Sequence, residues 1–144
     1  MLEIRDVGGA MHRSDRPPSI LTLVQFGFDR ERLYVRLDGV RPFTELLGEG
    51  FRVSLKFLDP PGVRLLVRSQ VGEPVGVAGA RAAAGTILEL ALPLTALGLA
   101  PGRPVAFFVV ISDADGAHLE THPNHRPIET SVPDALFEVR NWRA

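Results

Sequence analysis

The chain has 144 residues, 16 Lys and Arg against 17 Asp and Glu, and a formal net charge of −1, which suits one hydrophobic core rather than two and lacks the cationic excess of a phosphate-backbone binder. Cys is absent, which excludes a disulfide framework, a thiolate metal site and a cysteine nucleophile. No run of about 18 apolar residues occurs, and the start MLEIRDVGGAMHR lacks a charged leader followed by a long apolar stretch. These features read as a single cytoplasmic domain over residues 1–144, with neither membrane nor nucleic acid as partner.

Twelve Pro and fourteen Gly cut the chain into strand-length pieces rich in Val, Leu, Ile and Phe, the pattern of an all-β protein. A first strand is predicted over residues 2–7 and a second over 21–28. The turn Asp29-Arg30-Glu31 then leads into a strand over 32–38. There Leu33, Val35 and Leu37 face one way, and Tyr34, Arg36 and Asp38 the other. A helical turn is read near residues 43–47. The next strand, 51–58, turns Phe51, Val53, Leu55 and Phe57 inward, and Asp59-Pro60-Pro61-Gly62 returns the chain into a strand over 63–71. Residues 72–85 are of low complexity and read as a weak edge strand or a loop.

A strand over 87–92 is followed by a helical turn at 95–99, which Gly98 and Pro101-Gly102 stop. The next strand, 105–112, contains VAFFVVI without a polar residue, a pattern that places it mid-sheet with both faces covered. Asp113-Ala114-Asp115-Gly116 closes a hairpin into a strand over 118–121, and the chain ends on a turn at 133–136 and a strand over 136–139. Connections this short favour antiparallel neighbours. The expected architecture is a two-layer, mostly antiparallel β-sandwich with one or two short helical turns.

Chemistry-bearing residues are sparse. His118 and His122 share a strand face but lie roughly 13 Å apart at about 3.3 Å per residue, and Pro123 prevents a helix that would join them, so no metal site is predicted. Asp113 to Gly116 has the alternate acids of a calcium loop but lacks its distal Glu, and reads as a turn. Glu89 and Glu120 are the available acids for glycoside chemistry, yet no nucleophile elbow, phosphate loop or dinucleotide fingerprint accompanies them. The chain is therefore read as no enzyme, with no cofactor. Sugar-binding sandwiches stack pyranose faces on aromatic rings, and the single Tyr, Tyr34, is predicted outward beside Arg36. The single Trp, Trp142, is read as tacking the terminus onto the domain.

Gly9-Ala10-Met11-His12, Phe26-Gly27-Phe28-Asp29 and Leu33 to Asp38 resemble the opening of the β-sandwich that follows the catalytic part of many glycoside hydrolase family 57 proteins. Leu88 to Leu94, Leu97-Gly98-Leu99, Leu119 to Pro123, Ile128, Val132-Pro133 and Phe137 through Trp142 resemble its closing elements. The ELALPLTALGL unit is shared with the wider group of family-9 carbohydrate-binding modules and DOMON domains, so the sandwich is expected to be of jelly-roll or DOMON-like type. The resemblance implies a non-catalytic accessory module, covalently linked to or neighbouring a glycoside hydrolase catalytic domain and holding α-glucan weakly. Tyr34 would supply the stacking surface, and Arg36, Glu120, His122 and Asn124 the hydrogen bonds. The alternative it implies is a structural module that docks on a catalytic domain without binding sugar. DOMON relatives hold haem through Met and His, but Met11 and His12 are adjacent and would point to opposite sides of a strand, so haem is not expected.

Overall fold

The computed structural model describes residues 2–5, 19–69 and 72–134, the first four by backbone alone. In chain order these form β1 (Leu2–Arg5), β2 (Leu21–Phe28), β3 (Arg32–Gly39), α1 (Phe43–Gly48), β4 (Arg52–Asp59), β5 (Arg64–Val67), β6 (Arg81–Ala84), β7 (Ile87–Pro93), α2 (Leu94–Leu97), β8 (Pro104–Ser112), β9 (His118–His122) and β10 (Ile128–Ser131). One sheet has the order β1-β2-β3-β7-β6 and the other β10-β8-β4-β5, with β9 also on β8. The pairings are antiparallel, so the all-β, two-layer antiparallel sandwich read from the sequence is the fold observed.

The layers meet through the residues that alternation turns inward. Leu33, Val35 and Leu37 of β3 are buried against Val53, Leu55 and Phe57 of β4 and Val105, Phe107, Val109 and Ile111 of β8. Phe107 ties the sheets together: its ring lies 5.4 Å from Phe57 in its own sheet and edge-on, 6.2 Å and 87°, to Phe26 in the other. Helix α1 follows Pro42, buries Phe43, Leu46 and Leu47, and is braced by a bidentate Arg41–Glu49 pair at 2.5 and 2.8 Å. Helix α2 ends on left-handed Gly98, after which Leu99 N–H donates to the Leu94 carbonyl.

Several boundaries differ from the sequence reading for local reasons. β5 stops at Val67 rather than residue 71, because the chain doubles back and Val75 exchanges two backbone hydrogen bonds with Leu66 at 2.8 and 2.9 Å. Gly76 makes that return possible: at φ 110° a Cβ would stand 2.0 Å from the Arg64 carbonyl oxygen. Within 72–85 an edge strand, β6, does form. β10 was not anticipated, since in Ile128–Ser131 only Ile128 is buried. It continues the edge begun by β9, the two pairing with successive halves of β8 around residues 123–127. β8 is central, between β4 and the β9–β10 edge, but its outward Ala106, Phe108 and Val110 are half-buried and not covered. The strand predicted at 136–139, the second half of the turn before it, and Trp142 lie outside the described residues.

Candidate functional site

The outer face of the first sheet is built from cross-strand rows. Gly27, Tyr34, Ala91 and Arg81 form one, and Gln25, Arg36, Glu89 and Ala83 the next, with Leu23, Asp38 and Ile87 beyond. Tyr34 thus stands between a glycine and an alanine on the adjacent strands, so neither direct neighbour carries a side chain large enough to cover the ring. Arg36, two residues on and on the same face, sits opposite Gln25 and Glu89, with its Nη2 3.8 Å from Asp38 Oδ1.

The β2–β3 turn holds the ring from its far end. Tyr34 Oη donates to Asp29 Oδ2 at 2.6 Å, while Asp29 Oδ1 accepts from Glu31 N–H at 2.8 Å and Arg32 N–H at 2.7 Å. Partial burial pushes the Asp29 carboxyl up, but the Tyr34 hydroxyl and the two backbone donors outweigh it and hold the group below its ordinary value. The same bond raises the Tyr34 hydroxyl, because ionisation would set phenolate against carboxylate. The turn motif Asp29-Arg30-Glu31 therefore orients the one Tyr of the chain as well as reversing it.

One row past Tyr34, Arg32 and Pro93 lead into a groove of about 820 Å³ at the end of the sandwich. Leu94 and Leu99 on and after α2 and Val132 after β10 give it apolar walls; Asp29, Glu31 and Arg32 of the turn give it polar ones. Ring, charged row and groove form a continuous surface with the mixture of flat apolar and hydrogen-bonding groups that a polyhydroxylated ligand needs.

Glu120, His122 and Asn124 lie elsewhere. β9 pairs with β8 so that Glu120 is opposite Ile111 and His122 opposite Val109, turning both toward the interior side of the second sheet. The Glu120 carboxylate accepts from Ile20 N–H at 2.6 Å, Leu21 N–H at 3.2 Å and Ser19 Oγ at 3.1 Å, and lies 2.7 Å from His122 Nε2. It ties the start of β2 to β9, and so one layer to the other. Burial pushes its carboxyl up, yet His122 and the two backbone donors hold it below the usual range. His122 is buried and Asn124 exposed. Leu21 and Gly27 are six residues apart on β2, so the Glu120 end lies roughly 20 Å along the strand from the Tyr34 row at about 3.3 Å per residue. The five residues expected to share a sugar site thus fall into two groups, Tyr34 with Arg36 and Glu120 with His122 and Asn124.

The other polar clusters are turns and surface. Asp113 Oδ1 accepts from Asp115 N–H at 2.9 Å and Ala117 N–H at 2.8 Å, an Asx turn that closes the β8–β9 hairpin. His118 Nε2 is hydrogen-bonded with Thr121 Oγ1, and His125 is exposed in the 123–127 loop. Among the described residues no three His or carboxylate side chains converge as metal ligands, and no helix is long and apolar enough to cross a membrane. Met11 and His12 lie outside the described residues. The chain matches no protein-family model and no curated protein.

Proposed function

We propose that the domain is a non-catalytic accessory module of a cytoplasmic polysaccharide-active enzyme, one that holds α-glucan weakly on the outer face of its first sheet. The observation that carries this reading is Tyr34 standing between Gly27 and Ala91, beside the row Gln25, Arg36, Glu89 and continuous with the end groove. The apolar face of a pyranose would lie on the ring, and its hydroxyls would reach Arg36 and Glu89. Glu120 and His122 hold the layers together in this reading, and Asn124 stands apart from the ligand. A single platform of this kind gives weak binding, useful when a linked or neighbouring glycoside hydrolase domain adds a second hold on the same polymer.

Amide NMR spectra recorded while maltoheptaose is added to millimolar concentration test the proposal. Shifts confined to Gln25, Gly27, Tyr34, Arg36, Glu89 and Ala91, and abolished in Y34A, are expected. An unchanged spectrum, or shifts clustered at Glu120 and Asn124, would overturn it.

A further inference from the structure

The outer face of the second sheet has a different pattern. Register aligns Val75, Leu66, Ser54, Val110 and Thr121 in a row across β5, β4, β8 and β9. Val75 is 45% exposed, Leu66 and Val110 are half-buried, and Ser54 is sealed at 0% with the Arg64 Nη2 3.3 Å from its Oγ. Four interstrand steps of about 4.8 Å make this an apolar band roughly 19 Å long. Phe108, Ala106 and Leu58, the last 48% exposed, widen it on one side.

Cations flank the band on both sides. Lys56 and Arg64 are directly opposite each other in one neighbouring row, and Arg52 lies in the other, opposite Ser112. Arg68 continues the alternation one residue past β5 and is exposed. None of these four makes an ion pair with a described residue. Two acids of this face, Asp59 and Glu129, are paired with Ala106 at its far end, where Asp59 lies 4.0 Å from Arg103, and Glu73, two residues before Val75, is exposed at the opposite edge. Arg52 and Arg64 also line a shallow groove of about 290 Å³ with Leu66, Val75 and Ser112.

We propose that this face is a docking surface for a protein segment with an apolar ridge flanked by carboxylates. The ridge removes Leu66, Val75, Val110 and Phe108 from water, and the carboxylates meet Arg52 on one side and Lys56 and Arg64 on the other. Charge complementarity selects the partner. A nonpolar partner would leave the cations desolvated without a counter-charge, and a second copy of this face would set like charges together. The surface is on the opposite layer from Tyr34, so docking leaves the glucan platform open, and neither proposal depends on the other.

Two fluorescent peptides of the same length provide the test, roughly 13 residues to span the band at about 1.5 Å per residue. Both carry Leu along one helical face; one has Glu on both flanks and the other Lys. The Glu peptide should bind at least about tenfold more tightly than the Lys peptide. That preference should vanish in R52E/R64E, and it should weaken as salt rises from about 0.1 to 1 M, which shortens the Debye length from about 10 to 3 Å. R52Q/R64Q repeats the measurement should charge reversal unfold the domain. Equal binding of the two peptides overturns the proposal, as does preference for anionic phosphatidylglycerol vesicles or single-stranded DNA over the Glu peptide. Concentration-dependent dimerisation that R52E/R64E strengthens would also overturn it, by assigning the face to a second copy.

Discussion

The two outer faces of the sandwich are made by the same alternation of side chains and come out opposite in character. On the first sheet the outward residues of β3 and β7 are Arg32, Tyr34, Arg36, Asp38, Ile87, Glu89, Ala91 and Pro93, with Arg36 and Asp38 paired on the face itself. On the second, β8 turns Ala106, Phe108 and Val110 outward, and the cations of β4 and β5 make no ion pair with a described residue. A face that balances its own charge is suited to water and hydroxyls. One that combines half-buried apolar groups with unbalanced charge is suited to a partner. Strand pairing makes each face; what is left unmatched across the rows gives it its character.

The contrast requires that both faces stand on one shared core, and F107A is the harshest test of that. Removing the ring that touches Phe57 and Phe26 should cost about 3–5 kcal/mol in a single cooperative denaturant transition. Two separate transitions would mean that the sheets are stabilised independently. E120A comes next. It leaves the Ile20 and Leu21 N–H groups without their acceptor, at about 1–3 kcal/mol.

The same residue gives a pH signature. Because its folded-state pKa is depressed below the ordinary 4.5, the unfolded chain binds the proton more readily. The carboxylate's stabilisation is therefore complete above about pH 4.5 and is lost as pH falls through the lower folded-state value. Urea midpoints should fall across that acid window in the wild type and be flatter in E120Q.

Y34A separates face from core: the loss in stability should stay below about 1 kcal/mol, while maltoheptaose shifts disappear. A collapse of stability in Y34A would instead place Tyr34 in the same structural class as Glu120. The smallest effect is expected from L58S on the second face. Its stability should lie within about 0.5 kcal/mol of wild type, with weaker binding of the Glu peptide and no change in maltoheptaose shifts. Altered maltoheptaose shifts would show that the faces are coupled.

Glu120 and Tyr34 show how far the sequence could be read. Tyr34 falls within a clean alternation, Leu33 to Asp38, so its outward direction follows from neighbours one and two residues away. Glu120 is also in a short polar strand, but its acceptors' partners, Ile20 and Leu21, are about a hundred positions away in the chain. No local pattern reports a hydrogen bond of that span. The available signal was the polar pair Glu120 and His122 on one strand face, which is also what a ligand site looks like. β10 was hidden for a related reason: with one buried residue, Ile128, its membership in the sheet is set by β8 rather than by its own sequence.

By itself the sequence determined the layered antiparallel architecture, the inward sets of β3 and β4, and the hairpin turns, because these follow from period-two alternation and from residues adjacent in the chain. Only the tertiary structure decided which polar groups were consumed in holding the layers together and which were presented. It also decided that Tyr34 would stand between Gly27 and Ala91, and that Arg52, Lys56 and Arg64 would flank an apolar row. Those neighbours are set by register across strands, and register places side by side residues that the sequence keeps far apart.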